Sequence, residues 1–179
     1  PEQPQAEVAP SLPILAGLFS HGLPIPPSAV PEGLANISAQ GCRACHEAVF
    51  DGWSNSAHAG PPSDAFLKLT REIGTQACYG CHLPLAVQQP QLVTYDAGDM
   101  SRPLTSPNES WDATLSLEAV TCAACHIRDG AVATAEPQPR NSPHPMVHAP
   151  DLSTDRACGT CHQLTWPGAT QPFYDTWGE

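Results

Sequence analysis

The chain has 179 residues, of which Leu, Ile, Val and Phe supply only 32, while Pro and Gly supply 34 and the formal charge is −11. So few large apolar residues combined with so much net charge is the composition of a chain that does not fold by itself. It also excludes two partners: the longest apolar stretch, Ile14 to Phe19, is too short to span a membrane, and one lysine with six arginines cannot supply the clustered charge that nucleic acid requires.

Residues 1–35 read as a Pro-rich extended arm, with eight prolines in the first 31 positions disfavouring helix and ladder strand alike. The middle of the arm, Ser11 to His21, is among the most apolar parts of the chain, which suits an arm packed on something, such as a neighbouring subunit. Pro1-Glu2-Gln3-Pro4 is neither basic nor apolar, so the sequence reads as a processed form. Residues 36–179 read as one domain. A helix is expected over 42–58 and another over 64–73, with Asp64 as cap and Gly74 as stop. A Gln-, Pro- and Asp-rich loop over 83–113 holds one strand candidate, Leu92 to Tyr95. Further helices are expected to start from Ser116 and Ser153, separated by a loop over 127–152. The expected fold class is therefore mostly irregular with short α-helices and little or no β-sheet.

The eight cysteines form four pairs of one spacing, each followed at once by histidine: Cys42/Cys45-His46, Cys78/Cys81-His82, Cys122/Cys125-His126 and Cys158/Cys161-His162. Cys-x-x-Cys-His is the attachment signature of c-type haem. Two thiols three positions apart lie on one side of a helical turn and reach the two vinyl groups on one porphyrin edge, and the adjacent His reaches the iron. Disulfides, zinc knuckles and dithiol redox sites give no reason for a His after all four pairs. The cofactor expected is haem c, four groups, covalently held, and the fold is then chain wrapped around a stacked array of four haems. With their propionates ionised, four ferric haems would take the net charge to about −15. Motif starts are 36, 44 and 36 residues apart, hinting at two pairs built alike, although the halves share little else.

Eight histidines are present. Four are the proximal ligands His46, His82, His126 and His162, leaving His21, His58, His144 and His148 for the four distal positions. His58 is expected to reach a haem other than the one held by His46, because twelve helical residues would carry it roughly 18 Å away. His144 and His148 lie in Pro143-His-Pro145-Met-Val-His-Ala-Pro150, an extended segment that would serve two adjacent haems. His21 lies in the arm and can serve its own subunit or the next. Met100 and Met146 read as packing residues.

The stretch Cys42-x-x-Cys45-His46-x₆-Trp53-x-x-Ser56-x-His58-Ala59 closely resembles the opening motif of the tetrahaem cytochromes that accept electrons from hydroxylamine oxidoreductase, and of related multihaem cytochromes. The resemblance covers these 18 residues and, beyond them, the order of the later motifs and a His-containing segment between the third and fourth. It implies haems stacked in alternating parallel and near-perpendicular pairs, with His58 as a distal ligand to a haem other than its own. Ile127-Arg128-Asp129 departs from the Gly-Pro-Gly common after the third motif in that family, and the Pro-rich arm has no counterpart there. In architecture the chain also looks like the tetrahaem subunits of extracellular cytochrome filaments.

These features point to an electron-transfer protein rather than an enzyme, with no catalytic residue named: irons with both axial positions filled leave no place for substrate. The expected setting is a homo-oligomer or filament at the cell surface or outside the cell, exchanging electrons with redox partner proteins or an extracellular acceptor. A soluble periplasmic shuttle is the alternative. Reduction of a nitrogen oxide would need a five-coordinate haem, and so one of the four extra histidines left unused.

Overall fold

The computed structural model describes residues 29–61, 63, 68, 79–96, 99–128, 130–136, 141–166 and 169–172. Most of the Pro-rich arm, His21, Cys78 and the expected 64–73 helix apart from Lys68 lie outside them.

The helices are short, and polar side chains at their ends explain why. Helix α1 (Ala39–Arg43) is capped by Ser38, whose hydroxyl accepts from Gly41 N–H at 3.1 Å. Helix α2 (Glu47–Ser54) carries the motif residues after His46. It ends where Ser54 Oγ and Asn55 Nδ2 both donate to the Asp51 carbonyl, at 3.0 and 2.7 Å, in competition with the helical ladder. The single helix expected over 42–58 is thus three pieces: α1, α2 and a 3₁₀ turn over Ala57–Ala59 capped by Ser56. Helix α3 (Tyr79–His82) and a 3₁₀ turn over Ala86–Gln88 follow. Helix α4 (Ala113–Ser116) is capped by the Asp112 carboxylate, which accepts from Thr114 and Leu115 N–H at 2.8 and 3.1 Å. Ser116 therefore ends a helix and does not start one. Helix α5 (Cys122–His126) is the third motif itself, and helix α6 (Asp155–His162) ends in the fourth, entered through a 3₁₀ turn over Pro150–Ser153.

The fold is mixed, and the expectation of little or no sheet is corrected by three small sheets among the described residues. Strands β1 (Gln91–Asp96) and β2 (Asp99–Pro107) pair antiparallel, in register from Gln91 opposite Pro107, and β1 contains the expected strand at Leu92–Tyr95. Strands β3 (Ile127–Arg128) and β4 (Ala131–Thr134) form a hairpin directly after the third motif. Gly130 at φ 76° supplies the left-handed turn between them. Strand β5 (Met146–His148) adds parallel to β4, and β6 (Gln163–Trp166) with β7 (Ala169–Pro172) makes a second hairpin directly after the fourth motif. The physical reason is backbone accounting: chain that leaves a short helix still has N–H and C=O groups to pair, and a hairpin is the nearest source of partners.

The apolar core among the described residues is small. Ile37, Leu85, Leu115, Ala123, Ala124 and Ile127 form its centre, with Leu34, Val87, Val120 and Val132 packed against it. Six of the thirteen buried hydrophobics are alanines, while Gln88, Gln89 and Thr121 are among the largest fully buried side chains. Core cohesion therefore rests heavily on hydrogen bonds. No helix among the described residues is long and apolar enough to cross a membrane.

Candidate functional site

Among the described residues, each motif lies in about one helical turn. In the first, Cys45 and His46 N–H both donate to the Cys42 carbonyl, at 3.2 and 3.0 Å. Cys122/Cys125 and Cys158/Cys161 lie three residues apart within α5 and α6, which puts each pair on one side of its helix. In the second motif Cys81 and His82 are at the end of α3. The seven described cysteines are all free thiols, exposed or half-buried.

The thiols of different motifs meet. Cys42 and Cys122 hydrogen-bond to each other, and so do Cys81 and Cys161. Sharing a proton splits each pair: Cys42 is lowered to about 7 and Cys122 raised by the same bond, with burial adding to the rise. Cys81 is lowered and Cys161 raised in the same way. Protein packed around Cys125 pushes its thiol up by desolvation, opposed by the Arg128 guanidinium and reinforced by Cys158. The hydrogen bonds join the first motif to the third and the second to the fourth, while the third and fourth interact through charge alone. Both hydrogen-bonded pairs join cysteines 80 residues apart in sequence, so equivalent positions of the two halves face each other. The local structures differ, because Cys42 sits in the last turn of α1 and Cys122 begins α5.

The histidines are presented individually. His126 Nδ1 is 2.9 Å from the Ala133 carbonyl of β4. A carbonyl can only accept, so Nδ1 carries the hydrogen and the Nε2 lone pair is left available, the arrangement seen for metal-ligating histidine. His46 precedes α2 and makes no side-chain capping bond. His82 is held below the usual histidine range by desolvation. Ring centroids of His58 and His162 are 6.2 Å apart. Two imidazoles bound to opposite sides of one metal, with bonds of about 2.0 Å, place their centroids about 6 Å apart, so this spacing fits one iron between them. His144 Nδ1 is 3.2 Å from Ser142 Oγ, which leaves Nε2 open, whereas His148 Nε2 is 3.1 Å from the Ala135 carbonyl and so is engaged as donor. Met146 is half-buried in β5.

The residues that hold this arrangement explain the pattern after the first motif. Trp53 Nε1 donates to the Val120 carbonyl at 2.9 Å, Ser56 Oγ donates to the Trp53 carbonyl at 2.7 Å and accepts from His58 N–H at 3.2 Å, and Val120 N–H donates to the His58 carbonyl at 3.0 Å. Trp53 anchors, Ser56 caps, and His58 is projected beside His162. Sequence reading missed Glu118 and Gln88. Glu118 Oε2 accepts from Ala39 N–H at 2.8 Å and from Thr121 Oγ at 2.7 Å. Gln88 Nε2 donates to the Leu115 and Ala119 carbonyls at 2.9 and 2.6 Å, and its Oε1 accepts from Leu85 N–H at 3.0 Å. Neither residue has a local sequence signal, since a lone Glu and a Gln in a Pro-rich stretch both read as solvated.

No three described His, Cys, Asp or Glu side chains converge into a set able to hold a metal ion alone. Three of the motifs hold two thiols about one helical turn apart with a histidine next in the chain, the donor set that haem c would use. Compared with protein-family models, curated proteins and solved structures, the chain matches none.

Proposed function

We propose that the protein transfers electrons through four covalently bound haem c groups and performs no chemistry on a bound substrate. The observation that carries this reading is the pair of thiol hydrogen bonds, Cys42 to Cys122 and Cys81 to Cys161, which join the first motif to the third and the second to the fourth, with the third and fourth near enough for their thiols to interact electrostatically. Groups attached at these thiols would be neighbours, as electron transfer between them requires. When bound, haem supplies the one-electron iron couple, and the protein tunes it through axial ligands, hydrogen bonding and burial.

In this reading the cysteines fix the groups in position. The Nδ1 bond to Ala133 sets the tautomer of His126, and the capped turn at Ser56 presents His58 beside His162, where both would be available to hold the fourth haem. His144 and His148 would hold two others, and His148 would first have to give up its bond to the Ala135 carbonyl. His21 serves the last, from its own arm or a neighbour's. That second possibility favours assembly into an extracellular filament over a soluble periplasmic shuttle.

Carbon monoxide added to the reduced protein tests the reading. Six-coordinate irons leave the absorption spectrum unchanged, and stoichiometric binding would instead indicate an open iron and a reductase. Size exclusion with electron microscopy distinguishes the assemblies: polymers lost on His21→Ala support the filament, and a particle of one chain supports the shuttle.

A further inference from the structure

Residues 118–120 bond to segments that flank three of the four motifs. Glu118 Oε2 accepts from Ala39, the first residue of α1, and from Thr121, the residue preceding α5. The Ala119 carbonyl accepts from Gln88, which follows the second motif. Val120 is bonded on one side to Trp53 and on the other to His58, both trailing the first motif. Ala119 adopts φ 52° while 4% exposed, a left-handed conformation that is unfavourable for a non-Gly residue. Such a conformation persists where its surroundings over-determine it, and here the bonds on both sides do so.

We propose that Glu118 is the positioning residue that holds the first and third motifs side by side, and that its carboxylate keeps the potentials of the two haems attached there below the value a neutral side chain would give. The proposal rests on the haem reading above. One carboxylate oxygen bridges the starts of both helices, and Cys42 and Cys122 lie at most one turn further on. A half-buried negative charge at that place stabilises the oxidised, more positive iron over the reduced one. Arg128, 7% exposed, occupies the other end of α5, where its guanidinium donates to the Ala124 carbonyl at 2.6 Å. Its charge is of opposite sign and lies on the Cys125 side, so the Glu118 effect is concentrated at the edge shared by Cys42 and Cys122.

Glu118→Gln and Glu118→Ala separate position from charge, because the amide oxygen of Gln can still accept both hydrogen bonds. The haem-loaded full chain is titrated by spectroelectrochemistry, with haem content measured by mass spectrometry and the ferric haems followed by electron paramagnetic resonance. Glu118→Gln is expected to retain four haems and the wild-type resonance spectrum, with two of the four potentials shifted positive and two unmoved. Glu118→Ala is expected to shift the same two and also to alter the resonance signals of that pair. Four haems with all potentials unmoved in Glu118→Gln overturns the proposal and leaves the haem reading standing. A wild-type chain with no covalent haem overturns both.

Discussion

Gln88→Ala removes a side chain that is fully buried and makes three hydrogen bonds, joining the segment after the second motif to the segment before the third. The Leu115 and Ala119 carbonyls each keep one other donor, Glu118 N–H and Thr121 N–H, both at 3.0 Å. The variant thus deprives each carbonyl of one bond and takes the side-chain acceptor from Leu85 N–H. Two neutral bonds at roughly 0.5–1.5 kcal/mol each, with about 1–3 kcal/mol for the buried donor left unsatisfied, give a loss of roughly 2–6 kcal/mol. Against a total of about 5–15 kcal/mol for a folded domain, that is a large fraction. Urea unfolding of the haem-loaded chain, followed by far-ultraviolet circular dichroism, should show a lower midpoint. Gln88→Glu keeps an acceptor for Leu85 but turns a carboxylate toward two carbonyls, so it should be no milder. A loss below about 1 kcal/mol in either variant would refute the view that buried amide hydrogen bonds hold this core together.

His58→Ala should create one carbon-monoxide-binding haem in the reduced protein; an unchanged spectrum would mean that His58 is not the partner of His162 on one iron. Gly33→Ala should cost more than about 2 kcal/mol, since Gly33 has φ 83° and an added Cβ would run into the Pro143 carbonyl oxygen, beside His144. Thermal melts measure that loss, and wild-type stability would sink the prediction. The chain produced without haem attachment should lack a cooperative unfolding transition in calorimetry, because the apolar cluster among the described residues is small; a sharp transition would show that the polypeptide core suffices.

The four motifs are legible because the covalent attachment proposed for them would demand a local pattern: two thiols and a histidine close together in the chain. The strand at Leu92–Tyr95 is legible from its β-branched and aromatic run. The helix break at residues 55–56 is harder to see, since it depends on Ser54, Asn55 and Ser56 turning their side chains onto nearby backbone, which those residues also do in loops. The hairpins after the third and fourth motifs escape a reading by alternation because their strands span only two to four residues. Glu118 is invisible for another reason: its partner Ala39 is 79 residues away and bonds through its backbone, so no side-chain identity records the contact.

The alanine content acquires a specific role at the first and third motifs. Helices α1 and α5 pack against each other, and the residues they bury are Ala39, Ala123 and Ala124. Helices whose buried residues carry only methyl groups can approach closely, since the side chains at a contact set the interaxial distance. A larger side chain at position 123 or 124 would separate the helices or force strain of about 1–3 kcal/mol, and in separating them would draw Cys42 away from Cys122. In the proposed reading, electron exchange between haems attached at those thiols would weaken as they part. The small residues that leave the chain short of hydrophobic surface are therefore the ones that let its motifs meet, so the poverty of the core and the proximity of the attachment sites have one cause.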